Sequence, residues 1–303
     1  MNNSINKDQN EEKILKYLFT QRFLYKKCKN IAKGILFISI IVWLLGIIPY
    51  SSEKFDNIKL VISTIATIIV FVTESIGDKI KALAVDYQDY IDRSLFGLKK
   101  DKNIIPNLLK LDNKANDIII SNKEDYEKSI DPDYKFTVYN WYSDVSELPL
   151  DIARIVCQNE NIRWEKRQRK LYSKLLIVII ILLITLTSIK IFLFKESYLN
   201  ILTLVPIVVE LFKIIRQNNI VSKTIDEAED IISALYINIE EKGKKYNKRK
   251  IKEESLNIQL HIRNYRLNNV SIPEFIYNKL KFKEQKSSND FIELKVREVL
   301  HNL

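Results

Sequence analysis

Hydrophobic positions along this chain do not alternate evenly; they gather into long runs separated by lysine-rich and acidic stretches. The clearest run, Leu175 to Ile189, holds fifteen uncharged residues, and after Lys190 the apolar character resumes through Phe194. A helix that buries one face in a soluble core shows polar residues every third or fourth position. This run does not. Its polar side chains are Thr185, Thr187 and Ser188, whose hydroxyls can bond back to the helix's own carbonyls. About 20 mainly apolar residues cross a bilayer, a length reached if Lys190 lifts its ammonium into the headgroups on its flexible stem. Gly34 to Pro49, with Ser39 as its one polar side chain, predicts another span, and so does Leu60 to Thr73, extended to Ile58 if Lys59 snorkels. Ser197 to Val209 contains Asn200 and Pro206 and on its own suits an interface or a core. Only Lys195, Glu196 and a few polar residues separate it from the preceding run, so it is read as the returning span. The first two spans are joined by "YSSEKFDN", Tyr50 to Asn57. The pattern predicts two transmembrane helical hairpins.

The helices outrun the membrane. No glycine or proline lies between Leu150 and Val205, and Pro149 suits a first helical turn. One helix is therefore predicted from about Pro149 to near Phe194, about 65 Å long against a hydrocarbon layer of about 30 Å. The segments Glu74 to Gly97 and Glu210 to Gly243 stay helix-compatible in the same way. Between Lys99 and Leu148 the sequence predicts a small irregular cap with a few short helices. Past Gly243 come a helix, a break at Pro273, a further helix, and a weakly amphipathic one from Asn289 to Leu303. The fold class predicted is an all-α membrane protein whose two transmembrane hairpins extend into a cytoplasmic helical region. Its parts are a basic cytoplasmic N-terminal helix (1–33), a first hairpin (34–76), helical extensions and cap (77–172), a second hairpin (173–212) and a C-terminal helical region (213–303).

Charge then orients the chain. Lysine and arginine crowd the segment before Gly34, the stretch "RWEKRQRK" from Arg163 to Lys170, and "KGKKYNKRKIK" from Lys242 to Lys252, whereas the two hairpin links are nearly neutral. Because cations stay on the cytoplasmic side, both termini and the middle segment are expected there. The formal net charge of +10 is met by anionic lipid and calls for no DNA or RNA partner. Cys28 and Cys157 both fall on that side, where a disulfide is not expected. The first thirty residues do not read as a secretory signal, so the first span itself would direct insertion. His261 and His301 are the only histidines, and the five glycines are isolated. Neither a catalytic residue, nor a metal site, nor a phosphate loop, nor a cofactor is expected; the chain does not read as an enzyme.

Polar residues in or beside the spans raise the functional question. Ser63, Thr67 and Glu74 fall within about 40 degrees of one another on a helix, and Thr203, Pro206 and Glu210 share a face likewise. Pro206 also frees the carbonyl of Leu202. In an oligomer these stripes could line or gate a pore; alternatively the glutamates lie in the interface, paired with Lys79 or Lys213, and the hydroxyls pack helices together. A second constellation spans Tyr139 to Tyr172. On a helix starting near Pro149, Arg154, Asn161 and Glu165 share a face, with Gln158 and Asn159 at its edges, while Trp141, Tyr142 and Trp164 offer flat surfaces for stacking. Arginine beside aromatics suits a phosphate-bearing nucleotide; the alternative is a stalk helix with aromatics at the membrane margin.

That same segment resembles the S-4TM family, the nucleotidyltransferase-associated four-transmembrane effectors of bacterial anti-phage operons. The resemblance rests on Trp141, Tyr142, Leu148, Pro149, Cys157, Gln158, Asn161, Trp164, Arg169 and Tyr172, with Asn159 where the family pattern has arginine and Glu165 where it has aspartate. Gln88 and Asp92 fit a further pattern, as do Gln259, Arg263, Arg266, Pro273 and Tyr277. The resemblance implies a pore-forming effector that responds to a cyclic oligonucleotide and permeabilises the inner membrane of an infected cell, acting as a homo-oligomer in the lipid bilayer. It extends the ligand-sensing set to Trp141, Tyr142, Arg154, Gln158, Asn161, Trp164, Arg169 and Tyr172. An ion channel or transporter subunit, or a non-conducting membrane scaffold, are the alternatives.

Overall fold

Where glycine and proline are missing, nothing interrupts the backbone ladder, and the computed structural model shows correspondingly long helices. It describes residues 3–47, 53–99, 108–194 and 205–269, together with residue 272 and isolated positions between 290 and 298. In chain order these are α1 (Ile5–Asp8), α2 (Glu12–Ile47), α3 (Glu53–Leu95), α4 (Leu108–Ser121), α5 (Lys123–Ser129), α6 (Leu150–Phe194), α7 (Val205–Lys242) and α8 (Lys248–Leu267). Among the described residues there is no strand. With 45 residues, α6 is about 68 Å long.

Glycine ends the long helices where side-chain-bearing residues would be strained. Gly97 adopts φ 60° just after α3. Its N–H donates to the Ser94 carbonyl at 3.4 Å and that of Leu98 to the Arg93 carbonyl at 3.0 Å, the paired bonds of a left-handed helix stop. Gly243, at φ 50°, follows α7.

Two antiparallel pairs organise the chain. In the first, the Tyr17 ring of α2 packs edge-on against Tyr87 and Tyr90 of α3, with centroids 5.0 and 5.3 Å away, and Cys28 lies opposite Gly77. In the second, Lys166 of α6 pairs with Asp226 of α7 at 2.8 Å, and Asn218 of α7 donates to the Arg169 carbonyl of α6 at 3.0 Å. Helix α8, capped by the Asn247 side chain, packs on α3, α6 and α7. Amide side chains around α1 hold the loop before α6: Asn3 donates to the carbonyls of Val145 and Leu148, and Gln9 accepts from Tyr142 N at 2.7 Å. The predicted cap segment thus carries α4 and α5, followed by this loop.

Two apolar clusters follow. The larger joins Tyr17, Tyr87, Ile155, Ile162, Ile225, Ile232 and Ile258 from the polar half of the molecule. The smaller joins Leu176, Ile180 and Leu183 of α6 to Ile207 and Leu211 of α7, with Trp43 of α2 packed on it. Around the second cluster the surface is apolar: Phe37 and Leu44 on α2, Ile65 and Phe71 on α3, Ile181 and Phe192 on α6, and Phe212 on α7 are exposed, Phe192 by 83%. Each such side chain in water forgoes roughly 1.5–3 kcal/mol, and a contiguous patch of this extent marks a surface that something covers. Helices α2 and α6 are long and apolar enough to cross a membrane. The Leu60–Thr73 stretch shares the exposed band on α3. Most of Ser197–Val209, including Thr203, and both hairpin links lie wholly or partly outside the described residues, as do Pro273, Tyr277 and most of the predicted C-terminal helices.

Candidate functional site

On the polar half, the aromatic and amide side chains of five chain segments meet around a cleft of about 250 Å³. Its walls include Tyr25 and Lys29 of α2, Lys81 and Gln88 of α3, and Trp141 of the loop. Helix α6 contributes Asn161, Trp164, Glu165 and Gln168, spaced so that one helical face lines the space, and Tyr265 and Arg266 come from the end of α8, with Asn269 just beyond it. The chemistry on offer is flat aromatic surface, carboxamides that both donate and accept, and two lysines, a set suited to stacking a base and holding its edge.

Behind this cleft the charges are buried in balance. Asp89 and Asp92 of α3 are fully buried. Arg266 donates to Asp92 at 2.6 Å, Arg263 to Asp86 at 2.6 Å, and Arg93 to Asp89 at 2.8 Å. Gln259 bridges Asp89 and Asp92 at 3.0 and 3.2 Å, and itself accepts from Gln158 of α6 at 3.3 Å. The Tyr142 hydroxyl donates to Asp92 at 2.6 Å and accepts from Asn161 at 2.9 Å. Removing these charges from water costs several kcal/mol each, offset only where every partner is in place. Burial opposes the charge of Arg266, but the Asp92 carboxylate together with Tyr265, Tyr142 and Tyr25 outweighs it and raises the Arg266 pKa. Burial, reinforced by Asp92, likewise drives the Tyr142 hydroxyl well above the ordinary tyrosine range, so it stays a hydrogen-bond donor. Burial raises Asp86 too, with Arg263 working the other way.

The predicted ligand-sensing residues divide between these environments. Trp141, Asn161 and Trp164 line the cleft, and Tyr142 and Gln158 stand behind it in the hydrogen-bonded lattice. Arg169 is buried in a separate knot, donating to Asn218 of α7 at 2.7 Å and to Glu165. Arg154 is buried beside Asp151 at 3.4 Å, and burial lowers its pKa. Tyr172 belongs to the smaller apolar cluster. Tyr25, Lys29, Lys81, Gln88, Gln168, Tyr265 and Asn269 were not singled out as ligand contacts: Gln168 sits one turn beyond Trp164 on α6, and the others come from segments distant in sequence from the Tyr139–Tyr172 stretch.

Of the six residues read as pore-lining or gating, Thr67 is exposed on α3, and Glu74 accepts from Lys213 of α7 at 2.6 Å, an ion pair joining the two helical pairs. Ser63 lies in α3 and Pro206 and Glu210 in the first turns of α7, with side chains outside the described residues. No group of histidine, cysteine and carboxylate side chains that could hold a metal ion occurs among the described residues.

Fold and surface together define a helical membrane protein with a polar, ligand-sized cleft beside its exposed apolar band. The model of the SMODS-associating 4TM effector domain matches residues 3–293, nearly the whole chain. The chain belongs to that family, the membrane effectors associated with SMODS nucleotidyltransferase systems. No curated protein and no solved structure matches it.

Proposed function

We propose that this protein is a homo-oligomeric pore-forming effector of anti-phage defence, gated by a cyclic oligonucleotide and permeabilising the bacterial inner membrane. Both termini and the polar half then lie in the cytoplasm, where a nucleotidyltransferase releases its product. The observation that carries this reading is the composition of the cleft: its walls come from α2, α3 and α6, and those same three helices continue into the exposed apolar band. A ligand drawing Trp164, Tyr25 and Lys81 together therefore acts on the stiff elements that enter the bilayer. It shifts them only by binding one arrangement more tightly than the other. The Glu74–Lys213 pair ties the two helical pairs at the margin of the band, where a change in their spacing would be felt.

The test is made in cells. Co-expression with an active partner nucleotidyltransferase should collapse the membrane potential reported by a voltage-sensitive dye, and a catalytically inactive synthase should leave it intact. Collapse that is independent of synthase activity would point to a constitutive channel or transporter subunit. An intact potential together with synthase-dependent growth arrest would point to a scaffold that recruits another protein.

A further inference from the structure

Gln168 stands apart among the polar side chains of the cleft. It is 5% exposed, yet it makes no hydrogen bond among the described residues. The other carboxamides there are partly committed: Asn161 donates to Tyr142 at 2.9 Å, Gln88 accepts from Tyr25 at 3.0 Å, and Asn269 donates to Glu165 at 3.0 Å. Nor is the Gln168 amide sealed off as the Asn269 oxygen is; the exposure it keeps opens on the cleft it lines. Burying an amide without a partner is unfavourable, and native folds seldom leave one so. A ligand that presents an acceptor beside a donor recovers that cost. Three residues earlier, and so on the same face, Glu165 accepts from Arg169 and Asn269 through Oε1 alone, which leaves Oε2 open. The cleft's volume of about 250 Å³ exceeds the roughly 150 Å³ that encloses a benzene and falls short of the roughly 300–1,000 Å³ that takes up a whole drug-sized ligand. One bicyclic base fits, and the rest of an oligonucleotide stays outside.

On the nucleotide reading above, we propose that the cleft admits one base of the ligand and that this base is adenine, read by Gln168 together with Glu165. A carboxamide sets an N–H donor beside a carbonyl acceptor. Adenine answers with its N6 amine and N7, the pairing by which glutamine reads adenine in nucleic acids, and with N6 and N1 on its other edge. The second N6 proton goes to Glu165 Oε2. Guanine and hypoxanthine put a carbonyl oxygen where adenine has the amine, so that oxygen meets the Glu165 carboxylate with no proton between them. Cytosine carries an amine but only one ring, and covers less of the stacking surface of Trp141 and Trp164.

The full chain in nanodiscs is titrated with AMP, IMP, GMP and CMP, and binding is read from the quenching of tryptophan fluorescence excited beyond the absorption of the bases. Trp141 and Trp164 report on the cleft, while Trp43, in the smaller apolar cluster, stays constant. AMP should bind at least about fivefold more tightly than the other three, since a good bidentate pair discriminates by at least that much against the wrong base. Gln168→Leu should weaken AMP at least about fivefold and IMP less than about twofold. Its melting transition should stay in place, because Gln168 bonds to nothing in the fold; Gln168→Met, closer in shape, gives the same result if leucine repacks the wall. An equal loss of AMP and IMP would mark a merely structural effect and overturn the proposal, as would an AMP affinity equal to that of IMP or unchanged in Gln168→Leu. If no mononucleotide quenches, the one-base pocket is wrong; a cyclic oligonucleotide that still quenches then leaves the nucleotide reading standing, and silence from both removes that reading too.

Discussion

Asp92→Asn isolates the charge at the centre of the buried lattice while keeping its shape. The aspartate accepts from Arg266 at 2.6 Å, Tyr142 at 2.6 Å and Gln259 at 3.2 Å, and both ions of the Arg266 pair are buried. Removing one member of a buried pair leaves the other charge uncompensated, at a cost of about 3–5 kcal/mol. The neutral amide retains an acceptor for the Tyr142 hydroxyl, so that bond adds little to the loss. At about 2–4 °C for each kcal/mol, the melting temperature of the detergent-solubilised protein should fall by roughly 6–20 °C. Tryptophan fluorescence reads the transition, since Trp141 and Trp164 sit at the cleft beside the lattice. A cycle with Arg266→Met should give a coupling energy of at least about 2 kcal/mol. A drop under about 2 °C, or a coupling within about 0.5 kcal/mol of zero, would show that Asp92 and Arg266 do not depend on one another.

Further predictions concern single residues. Burial raises the Glu160 carboxyl above its usual pKa of 4.5, although Ser143 donates to it through N and Oγ. A carboxyl raised in the folded state binds protons more readily there than in the unfolded chain, so its contribution to stability falls as pH rises upward from 4.5. The melting-temperature difference between the wild type and Glu160→Gln should widen in favour of the variant from pH 4 to pH 7, and a constant difference would contradict the assignment. Gly97→Ala, at φ 60°, should cost about 1 kcal/mol in the same melt, whereas Gly34→Ala, with open space around its Cβ, should not destabilise the fold. Glu74→Gln combined with Glu210→Gln should blunt ligand-dependent membrane leakage at unchanged protein levels, and full leakage would remove the carboxylates from the conduit.

How much of this was legible beforehand depends on whether the signal is local. Helix α6 could be read because no glycine or proline interrupts Leu150 to Phe194, and α3 and α7 because Gly97 and Gly243 stop them. The face of α6 that carries Asn161 and Glu165 was readable from spacing, and so was the stacking potential of Trp141 and Trp164. Partners were not. Arg154 and Arg169 look like ligand contacts on a wheel, yet Arg169 meets Asn218 from 49 residues further on, and Arg154 is buried beside Asp151 one turn earlier on the same helix. Periodicity assigns a face and says nothing of what packs against it. Gln88, Asp92, Gln259, Arg263 and Arg266 were marked by family resemblance alone, and folding brings the stretches that carry it to one cluster around Asp92 and the cleft.

The coupling of the cleft to the bilayer is tested most directly with purified protein in liposomes loaded with a self-quenched dye and titrated with a panel of cyclic oligonucleotides. Wild-type protein should release dye with one member of the panel and not with its linear form. Trp164→Ala, equally folded and equally incorporated, should need at least about tenfold more of it, since base stacking on an aromatic is worth about 1–3 kcal/mol. Release that is the same with and without nucleotide, or unchanged in Trp164→Ala, would contradict the account.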